Sequence, residues 1–290
     1  MAEKWTIGTI LQWTKQYFRD KGVDNPRLDA EVLLSFLLGK DRVHLYVHFD
    51  QPLEATELAA FREMVRRRAQ RIPVAYITGR KEFMGLLFHV SEDVLIPRPD
   101  TEILVETALE LIAPESCTRI LDVGTGSGAV LIGTLSRRPG CRGIGVDISP
   151  AALAVAAENA GRLLPQGQAH FQKADLLPAS GTVFDVILSN PPYITTAEMA
   201  VLEPEVKKEP ELALCGGDDG MQFYRRLIVG GKEVLSPEGF MALEVGAGQA
   251  RQVAGLAEAG GWHTEKIVHD YAGIERVVVL RPGKKGEPSA

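Results

Sequence analysis

The apolar residues of this chain follow two different spacings along the sequence. Up to about residue 75 they recur every three or four positions, as they do along one face of an amphipathic helix. Three such runs predict three helices, and Pro52 and Pro73 bound the third. The predicted faces are formed by Ile10, Leu11, Thr14, Tyr17 and Phe18, then by Leu28, Val32, Leu33, Phe36 and Leu37, and last by the run 56–69. We therefore predict a small helical domain at residues 1–75.

The spacing changes after residue 75. Apolar residues crowd together at 83–90 and again at 94–96, and this pattern indicates the two strands of a β-hairpin. We predict that residues 76–98 form this hairpin and link the helical domain to the rest of the chain.

Between residues 99 and 282, short apolar runs alternate with helical patterns. This alternation is typical of an α/β fold, in which helices cover both faces of a mostly parallel sheet. Seven strands are predicted, at 119–123, 143–146, 169–172, 183–188, 240–245, 262–268 and 275–280. The last connection is too short for a parallel crossover, so we expect a Rossmann-like sheet with an antiparallel last strand. Residues 283–290 are predicted to be a disordered tail.

Composition and charge limit the classes of function. A formal charge of −6 disfavours binding to nucleic acid through its phosphates. The chain has three cysteines, none of them paired at metal-ligand spacing, and this fits a reducing cytoplasm. No apolar stretch has the length of a signal peptide or a membrane span, so we expect a cytoplasmic protein without membrane contact. We expect no metal site, because His44 and His48 lack a third ligand beside them.

A group of four arginines stands near the end of the third predicted helix. These are Arg66, Arg67, Arg68 and Arg71. One interpretation is a solvated, charged helix face. The other is a docking patch for an acidic or ribonucleoprotein partner.

A glycine-rich loop follows the first strand of the predicted sheet. It reads Gly124-Thr-Gly-Ser-Gly128, and the next strand ends in Asp147. Glycines at such a junction let the backbone approach a ligand, and an acid at that place can accept both hydroxyls of a ribose. The GxGxG spacing differs from the GxGxxG that binds a pyrophosphate, and it resembles the first motif of class I S-adenosylmethionine-dependent methyltransferases. A tight turn without a ligand and an NAD or FAD site are the alternatives.

The second chemical motif is Asn190-Pro-Pro-Tyr193, directly after the strand at 183–188. Consecutive prolines make a rigid, extended backbone, and ligands bind at this edge of open α/β sheets. The Asn190 side chain and the neighbouring backbone carbonyls offer paired acceptors for a planar –NH2 group, and Tyr193 adds an aromatic face. Together with the glycine loop, this resembles the methyltransferases that modify amide or exocyclic amino nitrogens of glutamine, adenine or guanine.

Further motifs narrow the resemblance. Pro97-Arg-Pro-Asp-Thr-Glu102, a GGxDG stretch at 216–220 followed by Phe223-Tyr-Arg225, Leu243-Glu-Val-Gly246 with Gln249, and Asp270-Tyr-Ala-Gly273 with Arg276 occur in this order. The series resembles the peptide chain release factor glutamine N5-methyltransferases, the PrmC/HemK family, over roughly residues 5–282. The sister family that acts on a ribosomal protein has PRSP where this chain has Pro99-Asp100. Cys215 and Leu176 depart from common family residues.

The resemblance implies a cofactor, a substrate and a set of roles. The cofactor is S-adenosylmethionine, and the substrate is the glutamine of the GGQ loop of bacterial class 1 release factors, so the enzyme acts in translation termination. Asn190, Pro191 and Tyr193 are the expected catalytic residues; Pro192 and Arg98 join them on the substrate side. The expected cofactor contacts are Gly124, Thr125, Gly126, Ser127 and Gly128 for the methionine part, Asp147 and Ile148 for the ribose, Asp175 and Leu176 for the adenine, and Asn190.

Some roles remain open at this stage. Arg98 and Asp100 form either an ion-paired linker or a wall of the cleft over the glutamine. The helical domain is expected to contact the release factor far from its GGQ loop, and the enzyme is expected to be a monomer. The rival functions are methylation of a ribosomal-protein glutamine, methylation of adenine N6 in DNA, and a non-catalytic cofactor-binding adaptor.

Overall fold

The computed structural model describes residues 5–178 and 181–283. Except for Gly283, the predicted tail at 283–290 lies outside these residues. The chain forms two compact units. One contains the residues up to Arg80 together with Glu203–Lys208, and the other contains Lys81–Leu202 and the residues from Glu209 onward.

The first unit is helical. Its helices are α1 (Ile7–Asp20), α2 (Pro26–Leu38), α3 (Arg42–Val47), α4 (Ala55–Ala69) and α5 (Val74–Thr78). The three predicted helices are present as α1, α2 and α4. The helices α3 and α5 were not predicted, because five or six residues are too short to show a helical period. Their common core contains the fully buried Phe18, Leu33, Leu34, Leu45 and Phe61.

The predicted buried face of α2 is wrong in part. Leu28 is exposed, whereas Leu33 is buried and Glu31 is only 3% exposed. Glu31 is held by two cations, since Arg27 donates to its Oε1 at 2.8 Å and Arg42 donates to its Oε2 at 2.5 Å. A hydrophobic pattern does not predict this rotation of the helix, because the buried position is occupied by a charged residue, and one of its two partners, Arg42, comes from the next helix.

Neither interpretation of the arginine group holds for Arg68, which is buried. Its Nε donates to Asp29 Oδ2 at 2.7 Å, and its Nη2 donates to Glu205 Oε1 at 2.7 Å. The Nη2 of Arg71 donates to Glu205 Oε2, also at 2.7 Å. These two arginines therefore bind the segment 203–208 within the helical unit, and they are not a free patch.

The next element along the chain is a two-stranded sheet. Its strands are β1 (Arg80–Phe83) and β2 (Leu86–His89). The prediction of a strand at 94–96 is wrong, because Ile96 lies in a loop and its N–H donates to the Glu209 carboxylate at 3.0 Å. The apolar pattern there reflects a buried loop.

The main sheet has seven strands. They are β3 (Arg119–Val123), β4 (Arg142–Asp147), β5 (Ala169–Lys173), β6 (Phe184–Ser189), β7 (Leu235–Glu244), β8 (Trp262–His269) and β9 (Glu275–Pro282). Their spatial order is β5-β4-β3-β6-β7-β9-β8. The first five pair in parallel, and β9 is antiparallel to both β7 and β8. The predicted α/β fold with an antiparallel last strand is confirmed.

Helices pack on both faces of this sheet, namely α6 (Pro99–Leu111), α7 (Ala129–Leu135), α8 (Pro150–Leu163), α10 (Gln222–Val234) and α11 (Ala250–Ala259). Between β6 and α10 the chain also forms a short helix α9 (Thr196–Met199) and 3₁₀ turns at Val206–Lys208 and Glu211–Ala213. Successive residues of β3 point to opposite faces, so Ile120 joins the core under α6 and α7, and Leu121 joins the core under α10 and α11. The strand order reverses between β3 and β6. In open α/β sheets this reversal creates a crevice at the carboxyl ends of the strands.

Candidate active site

The two chemical motifs meet at this crevice. The glycine loop follows β3 and the Asn190–Tyr193 segment follows β6, and both reach one cavity of about 330 Å³. Nine of the predicted site residues line it, namely Gly124, Gly126, Asp147, Ile148, Asp175, Leu176, Asn190, Pro191 and Pro192. Predicted residues from four separate loops are thus brought together.

Two glycines form the cavity wall because of their backbone conformation. Gly124 and Gly126 have φ values of +70° and +53°, in the left-handed region. A Cβ at either position would meet no atom within 4 Å, and since both residues line the cavity, it would occupy space that is open to a ligand. The N–H groups of Gly124 and Thr125 both donate to the Val146 carbonyl at 2.9 Å, which fixes the loop to β4.

The other three loop residues do not line the cavity. The Thr125 hydroxyl donates to Asp122 Oδ2 at 2.6 Å, and the Ser127 carbonyl accepts from Asn159 Nδ2 at 3.0 Å. At Gly128, with φ +81°, a Cβ would lie 2.8 Å from a side chain of α7. These residues build the loop from within, and their predicted contacts to a cofactor stay predictions.

Asp122 is a buried acid beneath this loop that the sequence reasoning missed. Burial raises the pKa of Asp122 to about 7, and the nearby charge of Asp147 raises it as well. Hydrogen bonds from the Thr125 hydroxyl and the Leu131 N–H act in the opposite direction. The available signal was a single acid within the apolar run 120–123.

Asp147 ends β4 at the cavity wall. Its Oδ2 accepts from the N–H of Gly126 at 3.0 Å, and its Oδ1 accepts from the N–H of Ser149 at 2.9 Å. Two backbone donors thus fix the orientation of this carboxylate next to the glycine loop.

The loop after β5 supplies the far wall. Leu176 has φ +69°, and the N–H of Leu177 donates to the Asp175 carbonyl at 3.1 Å, so the chain makes a very tight turn at a non-glycine residue. Such conformations are costly and cluster at binding sites. Arg226 and Phe223 of α10 also line the cavity, and Arg226 pairs with Asp175 at 2.9 Å. Phe223 belongs to one of the sequence motifs, but its place in the cavity wall was not predicted.

Two neighbouring loops hold the backbone after β6. The N–H of Ile194 donates to the Leu214 carbonyl at 3.0 Å, and the Ile194 carbonyl accepts from the N–H of Gly216 at 2.8 Å. The Gln249 amide donates to the Tyr193 carbonyl at 3.1 Å. A Cβ at Gly216 would lie 2.7 Å from the Pro192 carbonyl oxygen, so the glycine-rich stretch at 216–220 permits a close backbone approach.

Tyr193 lies behind the cavity wall and does not line it. Burial raises the pKa of Tyr193, and the charges of Glu244 and Asp100 raise it further, while Arg276 and Arg98 lower it. Its hydroxyl therefore stays protonated at neutral pH.

Asn190 is connected to a second buried acid. Its Nδ2 donates to Thr101 Oγ1 at 3.1 Å, and Thr101 belongs to the first turn of α6. Glu244, the last residue of β7, is 2% exposed, and its burial raises its pKa to about 7. Thr101, Arg276 and Asn190 favour its charged form, while Asp100 opposes it. Glu244 belongs to the motif at 243–246, but no role was predicted for it.

Arg98 and Asp100 form ion pairs. Arg98 pairs with Glu209, whose other carboxylate oxygen accepts the N–H of Ile96, and Asp100 pairs with Arg276 at 2.7 Å. The ion-paired linker is therefore observed. Arg98 does not line the cavity, and its contact with the substrate stays a prediction.

Within residues 5–178 and 181–283, none of the helices combines the length and the apolar character that spanning a membrane requires. The same ranges contain no group of three or more His, Cys, Asp or Glu side chains that could hold a metal ion.

Comparison with known proteins identifies the family. The profile of the PrmC N-terminal domain matches residues 9–79, and that of the methyltransferase small domain matches residues 99–208. The release factor glutamine methyltransferase of Geobacter sulfurreducens is 46% identical over 98% of this chain and 100% of its own length. The chain belongs to the release factor glutamine methyltransferase family. A second member, from Moorella thermoacetica, is 42% identical over 88% of this chain and 91% of its own length.

Solved structures agree on the fold of this family member. A methyltransferase from Pyrococcus furiosus has a TM-score of 0.52 at 17% identity, over 69% of this chain and 90% of its own. The hMettl16 catalytic domain, in complex with the MAT2A 3′UTR hairpin 6, has a TM-score of 0.57 at 14% identity, over 75% of this chain and 82% of its own. The predicted resemblance is thus confirmed: the chain is a methyltransferase of the release factor glutamine methyltransferase family, and its fold implies S-adenosylmethionine as the cofactor.

Proposed function

We propose that this chain transfers a methyl group from S-adenosylmethionine to the side-chain amide nitrogen, N5, of the glutamine in the GGQ motif of bacterial class 1 release factors. Family membership over nearly the whole chain supports the substrate. The observation that carries the chemistry is that Asn190 and Pro191 line the same cavity as Gly124, Gly126 and Asp147. The residues proposed to accept the amide and those proposed to bind the nucleoside thus line one cavity.

The cavity fits the cofactor. Its volume of about 330 Å³ lies in the range of small-molecule sites. The open wall at Gly124 and Gly126 suits the methionine part, and the Asp147 carboxylate beside Ile148 suits the ribose hydroxyls. The adenine would lie near Asp175 and Leu176. Phe223 lines the same cavity and adds an apolar surface for the adenine. When bound, S-adenosylmethionine supplies a methyl group on a positively charged sulfur.

The protein acts by positioning the acceptor nitrogen. An amide nitrogen is a weak nucleophile, because its lone pair is delocalised into the carbonyl group. The Asn190 side-chain oxygen and the Pro191 carbonyl accept its two N–H groups, so they orient the nitrogen and favour the positive charge that develops on it. The nitrogen forms its bond to the methyl carbon as the carbon–sulfur bond breaks, the electron pair of that bond stays on sulfur, and the nitrogen then loses one proton to solvent. Pro192 borders the glutamine pocket in the cavity wall, and Tyr193 supports this wall from outside the cavity. Arg98, which pairs with Glu209, is placed on the substrate side beyond the cavity.

The test uses purified enzyme, labelled S-adenosylmethionine and four acceptors. These are an unmethylated release factor, its GGQ→GGA variant, a GGQ peptide and duplex DNA. We expect label on the release factor, none on the GGA variant or DNA, and much slower labelling of the peptide, because the helical unit docks the whole protein. Label on DNA, or equal label on the GGA variant, would overturn the proposed substrate. Equal kcat/KM for peptide and protein would overturn docking alone.

A further inference from the structure

The carboxamide of Asn190 has to present the correct end to the substrate. Its oxygen accepts hydrogen bonds and its nitrogen donates them, yet the two ends are nearly the same size. Steric fit alone therefore cannot choose between the two orientations of the group. Hydrogen-bond partners make the choice, and in this structure the partner of Nδ2 is Thr101 Oγ1, at 3.1 Å.

Thr101 does not fix this orientation by itself. A hydroxyl group has one proton and can also accept, so Thr101 could face either end of the Asn190 carboxamide. It accepts from Asn190 only when its own proton is directed elsewhere. Thr101 is 4% exposed, so water is a poor alternative partner.

Glu244 determines the direction in which the Thr101 hydroxyl donates its proton. Its carboxyl group lies near Thr101 and Asn190, and both of these polar side chains favour its charged form. An ionised carboxylate only accepts, so it draws the Thr101 proton toward itself. The Thr101 oxygen then accepts the hydrogen bond from Asn190 Nδ2. The Asn190 Oδ1 therefore remains free to accept a hydrogen bond from the substrate amide. A protonated Glu244 could donate instead, and the order of donors would reverse.

We propose that Glu244 is a positioning residue for methyl transfer, whose carboxylate sets the direction of the Thr101–Asn190 hydrogen bond and so turns the Asn190 oxygen toward the glutamine amide. This inference rests on the proposed function and adds a residue to it.

The surroundings of Glu244 argue against a purely structural role. Its Oε2 is buried without a hydrogen-bond partner in the described part of the chain. Such an atom destabilises a fold, and a neutral side chain would serve packing better. Arg276 opposes this cost, although it is shared with Asp100 and Asp270.

The groups that face Glu244 come from several elements. Thr101 and Asp100 lie on α6, Asn190 follows β6, and Arg276 lies on β9. The charge of Glu244 raises the pKa of the Tyr193 and Tyr224 phenols, which indicates that both side chains lie near it. Tyr224 donates its hydroxyl to the backbone carbonyl of Glu244 at 2.9 Å.

The sign of the pH effect on stability follows from the raised pKa. The pKa of Glu244 is about 7 in the folded protein, against 4.5 for an ordinary glutamate. Its contribution to stability is therefore complete below about pH 4.5 and is lost as the pH rises through about 7. Turnover follows the opposite direction, because the ionised form orients Asn190.

The test compares the wild type with Glu244→Gln on full-length release factor, at saturating cofactor, from pH 5 to 9. We expect the kcat of the wild type to fall as the pH drops below about 7. The variant should lose at least tenfold in kcat at pH 8 and lack this acidic limb, with an unchanged Kd for S-adenosylmethionine. Its melting temperature should rise relative to the wild type between pH 5 and pH 8, because no buried charge forms.

A second pair of variants keeps the proposal testable if Glu244→Gln folds poorly. Thr101→Val removes the hydroxyl that connects Glu244 to Asn190 and should lower kcat severalfold. Thr101→Ser keeps this hydroxyl, so it should retain both the turnover and the fall of kcat below about pH 7. Wild-type kcat and pH profile in Glu244→Gln would overturn the positioning role. If the wild type labels no release factor at any pH, the proposed function fails instead.

Discussion

Two loops at the same edge of the sheet each lie next to a buried acid. The two acids, Asp122 and Glu244, differ in their hydrogen-bond partners. Asp122, beneath the glycine loop, accepts from the Thr125 hydroxyl at 2.6 Å and from the Leu131 N–H at 3.3 Å. Glu244, beside Asn190, keeps one buried oxygen without a partner among the described residues. Burial raises the pKa of both to about 7. The difference agrees with a supporting role of Asp122 under its loop and with the proposed role of Glu244 as a positioning residue for Asn190.

The largest expected effect tests the Asn190 side of this comparison. Asn190→Ala removes the acceptor of the substrate amide, so kcat should fall by about 100-fold or more, as when a transition-state hydrogen-bond partner is lost. The Kd for S-adenosylmethionine, measured by calorimetry, should change much less. If turnover survived within about tenfold, catalysis by positioning at Asn190 would be wrong.

The next effect tests the glycine-loop side. Gly126→Ala places a methyl group in the cavity and strains a backbone with φ +53°. We expect the KM for S-adenosylmethionine to rise about tenfold, or ~1.4 kcal/mol, with kcat at saturation within about threefold. Gly255→Ala is the matched control, because Gly255 is exposed on α11 and its Cβ would meet nothing within 4 Å. Similar steady-state constants in both variants would contradict a cofactor site at this loop.

The smallest effect compares the hydroxyl partners of the two acids. Thr125→Val deprives Asp122 of its shorter hydrogen bond and should destabilise the fold by about 1–2 kcal/mol in denaturant unfolding. Its kcat at saturating cofactor should stay near the wild-type value, whereas Thr101→Val loses turnover. If the two threonine variants lost turnover equally, the distinction between a supporting and a positioning acid would fail.

Much of this architecture was readable from local patterns. The alternation of apolar spacings predicts the sheet, because strands and helices differ in period. The motifs at 124–128 and 190–193 predict the cavity, since each follows a buried strand and the carboxyl ends of parallel strands meet at one edge.

Contacts between residues that are far apart in the sequence could not be predicted from these patterns. Thr101, Asn190, Glu244 and Arg276 come from four distant segments, and only the strand order places them together. The same limit explains α2, where the burial of Glu31 depends on Arg42, a residue of the next helix. A charge in an apolar stretch was the available signal in each case, but it does not name its partner.

The segment 203–208 has a consequence for dissecting the protein. The polypeptide leaves the methyltransferase unit after the Asn190–Tyr193 segment, contributes Glu205 to the helical unit, and then returns. A fragment that ends near residue 80 would therefore lack the carboxylate that both Arg68 and Arg71 bind. The helices are not an interchangeable module: grafting them onto another methyltransferase would require transplanting two separate stretches of the gene.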